Sequence, residues 1–338
     1  MSVVKKILIV GPSWVGDMVM AQSLFMTLER AGECALDVLA PAWSLPILAR
    51  MPEVRRGVAM PVGHGRLDLG TRWTLGRELR RERYDQAIVL PGSFKSALVP
   101  FFAAIPQRTA FRGELRYGLI NDMRTLDRTA LPMTVQRFAA LGQPRGADAR
   151  PFPVPQLAAD SANQIALRDR LGLDGERPAV AFMPGAEYGP AKQWPPAHYA
   201  ALARDLAARG FQIWILGSAK DGEAARAIAL DNPAVLDLTG RTSLGDAVDL
   251  LASSHAAVTN DSGLMHVAAA LKVPLVAIFG SSSPEHTPPL SNRVAIESLR
   301  LECAPCFERT CPFKHTRCLT DITPEQVLAA LHGLDAAR

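Results

Sequence analysis

The chain has 338 residues, 48% of them hydrophobic and 21% charged, which is enough for two domains with a core each and ordinary for a globular protein. No stretch approaches the roughly 18 uncharged apolar residues of a membrane span. The short apolar run near the N-terminus, KKILIV, is broken by Gly-Pro rather than by a cleavage site, so it reads as a first strand of a cytoplasmic protein and not as a signal peptide.

The net charge of +4 hides a split: residues 1–150 carry 21 Lys and Arg against 13 Asp and Glu, and residues 151–338 carry 16 against 20. The basic half has the right sign for an anionic partner: a phosphorylated substrate, a membrane surface or nucleic acid. Its arginines fall in two groups, Arg72, Arg77, Arg80, Arg81 and Arg83, then Arg108, Arg112, Arg116, Arg124 and Arg128. Solvated helix faces would give the same composition. Nucleic acid is the weaker reading, because no recognised binding motif and no interleaved aromatic residues accompany the charge.

In chain order, KKILIV (5–10) is a strand, followed by a turn and a helix from about Gly16 to Arg30. ALDVLA (35–40) is a second strand, PAWSLPILARMP a turn with a short helix, and DQAIVL (85–90) a third strand. PGSFKSALVPFFAAI then opens as a loop and continues as a helix. Residues 142–160 are rich in Pro, Gly and Ala without periodicity, which marks a linker. Beyond it the alternation restarts with PAVAFM (178–183), the helix PAHYAALARDLAARG and the strand FQIWILG (211–217). VLDL (235–238), the helix SLGDAVDLLASS, HAAVTN (255–260), a helix from Gly263 to Leu271 and PLVAIFG (274–280) follow. The run TPEQVLAALHGL (323–334) is a final amphipathic helix, with Thr323 as its cap and Pro324 in its first turn. Strands alternating with helices predict two doubly wound α/β domains with a cleft between them. Ligands of such sheets bind at the carboxyl ends of the strands, so the loops there are where chemistry is sought.

Four such loops stand out. In GPSWVGDMVM (11–20) two glycines have the spacing of a phosphate-cradling GxxxxGK[ST] loop, but Asp17 and Met18 replace its Lys and hydroxyl. That excludes a P-loop, and the missing GxGxxG weakens a dinucleotide enzyme. What remains is Asp17 at a helix start, where the dipole keeps a carboxylate ionised. A helix-capping aspartate fits the pattern, and so does a general base for a hydroxyl group. FMPGAEYGPAKQWP (182–195) is a Gly- and Pro-broken loop carrying one cation, Lys192, which suits a diphosphate and also suits an ordinary surface loop. In NDSGLMH (260–266), Asp261, Ser262 and Gly263 lie between a strand and a helix whose first-turn N–H groups make an anion site, with His266 on the same helix face as Ser262. In GSAKDGEAAR (217–226), Glu223 could accept hydrogen bonds from ribose hydroxyls.

Together GPSWVGDMVM, GAEYGPAKQWP and NDSGLMHVAAAL with PLVAIFG resemble the ADP-heptose:lipopolysaccharide heptosyltransferases, glycosyltransferase family 9. Gly-His-Gly (63–65), PGSFKSALVPFFAAIPQRTAFRGELRYGLIND and GSSSPEHTPPLS point to the branch that adds the second heptose. The resemblance runs from about residue 5 to 292 and returns at the final helix. It implies the GT-B fold, two Rossmann-like doubly wound domains facing a central cleft: 1–155 for the acceptor, 156–322 for the nucleotide sugar and 323–338 a C-terminal helix. It implies inverting transfer of a heptose from ADP-heptose to the first heptose of heptosyl-Kdo2-lipid A, at the inner face of the cytoplasmic membrane, with no cofactor and no obligatory metal. The sequence has no Asp-x-Asp pair of the metal-dependent type. Asp17 matches the family's catalytic base, and Lys192, Glu223, Asp261, Ser262, Gly263 and His266 match its donor-binding positions. A base at position 17 argues against a non-catalytic nucleotide-sugar binder.

Cys303, Cys306, Cys311 and Cys318 depart from the pattern of the best-known members. In a cytoplasmic protein such a cluster is expected as reduced thiols, with a structural zinc or one or two disulfides as open alternatives. Cys34 stands alone.

Overall fold

The computed structural model describes residues 4–63, 65–148 and 150–336, with Asp335 through its backbone alone. His64 of the Gly-His-Gly motif and the last two residues of the C-terminal segment lie outside the described residues. By internal packing the chain divides into two compact units, Met1–Pro155 and Gln156–Arg338.

In the first unit the strands are β1 (Lys5–Val10), β2 (Cys34–Pro41), β3 (Val54–Met60), β4 (Gln86–Val89), β5 (Gln107–Phe111) and β6 (Asp122–Arg124). They form one parallel sheet in the order β3-β2-β1-β4-β5-β6. Helices cover both faces, so the central strands must be apolar throughout rather than alternating, and Ile7–Val10 and Ala87–Val89 are buried without interruption. The helix Val15–Ala31 follows β1 and packs on the helix Thr134–Gly142.

The second unit repeats the plan with β7 (Ala179–Met183), β8 (Gln212–Ile215), β9 (Val235–Asp237), β10 (Ala256–Asn260), β11 (Leu275–Phe279) and β12 (Val294–Ser298). Their order is β12-β11-β10-β7-β8-β9, again parallel. Phe182, Trp194 and Tyr199 lie at the heart of its core, with the Trp194 and Tyr199 rings 4.8 Å apart. The Trp194 indole N–H donates to the Ile322 carbonyl at 2.9 Å, just ahead of the final helix Pro324–Ala336. Val327 and Leu331 bury that helix in the core of the second unit.

Both sheets have the Rossmann strand order. In each, the first strand of the unit lies beside the fourth, and the direction of winding reverses there, between β1 and β4 and between β7 and β10. Loops leaving these strand pairs diverge to opposite faces and open a crevice at their carboxyl ends. The expectation of two doubly wound α/β domains is met.

Four strands escaped the reading of the sequence: β3, β5, β6 and β12. Three of them border a sheet or lie on its rim with partial exposure, and the Val-Arg-Arg-Gly-Val-Ala-Met of β3 shows why. An edge strand does not need an unbroken apolar run, because one side of it meets solvent.

Candidate functional site

In the first unit a cavity of about 740 Å³ opens at the carboxyl ends of β1, β4 and β5. Asp17 lines it from the first turn of the helix Val15–Ala31. The N-cap of that helix is Trp14, which makes no side-chain cap; Asp17 stands half-buried in the first turn, where the dipole favours a carboxylate. Lys95 and Arg112 bring positive charge to the same cavity.

The floor is held by a residue whose role the sequence did not betray. Arg116 is buried and donates from Nη1 to the Pro91 carbonyl at 2.7 Å and from Nη2 to the Phe111 carbonyl at 2.6 Å, tying the loop after β4 to the end of β5. Burial pulls its pKa below the usual guanidinium value, yet an arginine remains charged at neutral pH. Gly113 approaches so closely that a Cβ there would collide with the Gly92 carbonyl oxygen. The Phe94 N–H donates to the Glu114 carboxylate at 2.7 Å and closes the same corner.

The two arginine groups divide: Arg77, Arg80, Arg81, Arg83, Arg112 and Arg128 are exposed, as a solvated face would have them, whereas Arg72, Arg108, Arg116 and Arg124 are drawn into the protein. Arg72 is buried and donates to the Lys95 and Arg66 carbonyls, both at 3.2 Å. Arg108 donates to the Leu119 carbonyl at 2.6 Å, and Arg124 pairs with Asp122 at 3.1 Å. A guanidinium presents five donors in a plane, and irregular loops supply carbonyls to match, so these residues brace loops instead of facing solvent.

In the second unit the loops after β7 and β10 meet at the switch point. Lys192 Nζ lies 2.5 Å from Asp261 Oδ2, and the Ser282 hydroxyl donates to the same oxygen at 2.5 Å. The Asn260 carboxamide oxygen accepts from the Trp194 N–H at 3.0 Å and from the Tyr199 hydroxyl at 3.2 Å, which locks the end of β10 to the loop that carries Lys192. Ser262 is the N-cap of the helix Gly263–Ala270 and makes no side-chain cap, so its first-turn N–H groups are available for an anion. His266 is buried on this helix, and burial lowers its pKa to about 4, with Asp261 opposing and Lys192 assisting. The imidazole is therefore neutral at pH 7.

Five of the expected donor residues, Lys192, Asp261, Ser262, Gly263 and His266, thus converge. Glu223 stands apart from them, exposed in the first turn of the helix Gly222–Ala229 after β8. The loops after β7 and β8 are nonetheless neighbours, since Gly185 and Gly217 both press against the Asp221 carboxylate.

The cysteines are free thiols, and among the described residues no three of His, Cys, Asp and Glu are arranged to hold a metal ion. Burial and the neighbouring Cys306 push the Cys318 thiol up, whereas the Thr316 N–H, assisted by that of Phe313, pulls the Cys311 thiol down. The segment they occupy does have a structural task, because Ala191 of the Lys192 loop donates its N–H to the Arg309 carbonyl at 3.1 Å.

Two Rossmann-like units, one with a carboxylate and cations at its switch point and the other with a lysine and an open helix N-terminus, are the parts of a transferase that uses a nucleotide-activated donor. The model of glycosyltransferase family 9 (heptosyltransferase) matches residues 72–317. The lipopolysaccharide heptosyltransferase 2 of Escherichia coli K12 is 50% identical, over 97% of this chain and 98% of that protein. The lipooligosaccharide heptosyltransferase 2 of Haemophilus influenzae Rd is 46% identical, over 97% and 99%. Among solved structures, the ADP-heptose lipopolysaccharide heptosyltransferase II of E. coli superposes with a TM-score of 0.88 at 47% identity, over 97% of this chain and 98% of that one. The chain belongs to glycosyltransferase family 9, the heptosyltransferases.

Proposed function

We propose that the protein transfers L-glycero-D-manno-heptose from ADP-heptose to the first heptose of the lipopolysaccharide inner core, with inversion and without a metal ion. The observation that carries this reading is the 50% identity to a lipopolysaccharide heptosyltransferase 2 across nearly the whole chain. The convergence of Lys192, Asp261, Ser262 and His266 at a strand-order switch point supports it.

In this mechanism Asp17 takes the proton of an acceptor hydroxyl as its oxygen attacks the anomeric carbon. The bond from that carbon to the diphosphate breaks, and ADP leaves with the electron pair. Lys192 and the N-terminus of the helix Gly263–Ala270 stabilise the charge growing on the diphosphate. Glu223 receives the ribose hydroxyls, and the neutral His266 holds a donor oxygen by a hydrogen bond. Lys95 and Arg112, in the cavity that Asp17 lines, meet the anionic acceptor, heptosyl-Kdo2-lipid A. Because that acceptor is a lipid, the enzyme works in the cytoplasm at the inner face of the membrane. No helix among the described residues is long and apolar enough to cross it, so contact is peripheral in this reading.

The test is turnover by the purified protein with ADP-heptose and acceptors carrying no heptose or one. Transfer to the mono-heptosylated acceptor, unchanged after dialysis against a chelator, is the expected result. Transfer only to the heptose-free acceptor, or turnover lost with the chelator and restored by a divalent cation, would overturn the reading.

A further inference from the structure

Tyr188 in the Lys192 loop has two cations against its ring. Lys192 Nζ and Arg309 Cζ each lie 5.0 Å from the ring centroid. Lys192 is balanced by Asp261, but among the described residues no carboxylate pairs with Arg309. Both cations are thus held at one half-exposed ring, and of the two only Lys192 has a carboxylate counter-charge among the described residues.

The backbone leaves Arg309 little choice of place. The Tyr188 hydroxyl donates to the Phe307 carbonyl at 2.6 Å, and the Ala191 N–H donates to the Arg309 carbonyl at 3.1 Å. The Phe307 N–H donates to the Ser281 carbonyl at 2.6 Å, and the Ser281 N–H to the Ala191 carbonyl at 3.2 Å. These bonds stitch the Lys192 loop, the loop after β11 and the cysteine-bearing segment into one piece. Gly189 is required for it: its φ is +154°, and a Cβ there would stand 2.5 Å from the Arg309 carbonyl oxygen. Chain near residue 309 is therefore built against the loop that carries Lys192, and it delivers an unpaired guanidinium beside it.

We propose that Arg309 is a second cation for the donor's diphosphate, held beside Lys192 by the cysteine-bearing segment. This rests on the reading of the Lys192 loop as the donor loop. An anion bound at this loop would offset both charges, and a planar guanidinium offers two phosphate oxygens a parallel bidentate pair of hydrogen bonds, a geometry an ammonium lacks. Arg309 would act with Lys192 on the leaving diphosphate and contribute nothing to the adenosine.

Calorimetric affinities for ADP and for adenosine, with melting temperatures, on wild type, Arg309→Ala, Arg309→Lys and Lys192→Ala test this. Arg309→Ala should weaken ADP by roughly tenfold or more, as expected for a lost charge-assisted contact, while adenosine affinity and melting temperature stay as in wild type. Arg309→Lys should recover part of the loss. Unchanged ADP affinity in Arg309→Ala, or an equal loss for adenosine, overturns the assignment. Failure of the wild type to bind ADP, or ADP affinity unaffected in Lys192→Ala, is a different result: it removes the donor-loop reading, and this inference with it.

Discussion

Asp17 and His266 show how one environment keeps a group charged and another keeps it neutral. Asp17 lies in the first turn of a helix and lines a cavity, where the helix dipole favours an ionised carboxylate. Asp17→Asn preserves the shape but cannot accept a proton at neutral pH. Turnover should fall by about 10²–10⁴-fold, with ADP affinity within a few-fold of wild type, since the residues proposed to hold the donor belong to the other unit. A folded variant with near-normal turnover would remove Asp17 as the base. His266 presents the opposite case. Its folded-state pKa of about 4 lies below the ordinary 6.5, so between these values the unfolded chain takes up a proton that the native protein refuses. Stability present above pH 6.5 is therefore lost as the pH falls toward 4, by about 3 kcal/mol from this one residue. The urea midpoint should fall less between pH 7.5 and pH 5 in His266→Gln than in wild type. Parallel pH profiles for the two proteins would mean that the imidazole is not buried neutral.

At the scale of elements, loops at strand ends are rigidified by backbone approach and buried arginines rather than by secondary structure. Gly113 is the sharpest instance, because any side chain there meets the Gly92 carbonyl. Gly113→Ala must push the loop after β4 away from the chain beyond β5 and loosen the Arg116 and Glu114 hydrogen bonds that span them. A loss of about 1–3 kcal/mol is expected from such overpacking, together with a raised KM for acceptor and an unchanged affinity for ADP. Denaturant unfolding with steady-state kinetics on both substrates checks this, and an acceptor KM equal to wild type would show the cavity wall to be unaffected. The same logic explains which elements could be read from residues alone. Strands β1, β2, β4, β7, β8, β10 and β11 are covered on both faces and had to be apolar runs. The helices Leu69–Leu79 and Ser161–Leu171 gave no comparable signal, since each buries only a narrow stripe.

At the scale of the whole molecule the chain is two units with separate cores and opposite charge, the first basic and the second acidic. The residues proposed to hold the donor, Arg309 among them, and Ile322, whose carbonyl anchors Trp194, all belong to Gln156–Arg338. A fragment of residues 156–338 should therefore unfold cooperatively and bind ADP within a few-fold of the full chain, while showing no transfer. Circular dichroism and calorimetry on the fragment check both points, and a molten or ADP-blind fragment would show that the donor site needs the first unit. The sequence by itself determined the class of the fold, the family and the short loops rich in Gly, Pro and acid that leave the central strands. Those features are local: burial on two faces dictates apolar runs, and a loop at a strand end must use residues that permit tight turns and polar contacts. Tertiary structure alone decided the rest. Arginines alike in sequence became buried braces at Arg72 and Arg116 and a cavity cation at Arg112, because neighbouring carbonyls, not spacing, settle where a guanidinium points. Likewise nothing near residue 309 in the chain announces a partner for Lys192, 117 positions away; only the folded loops bring their charges to one tyrosine ring.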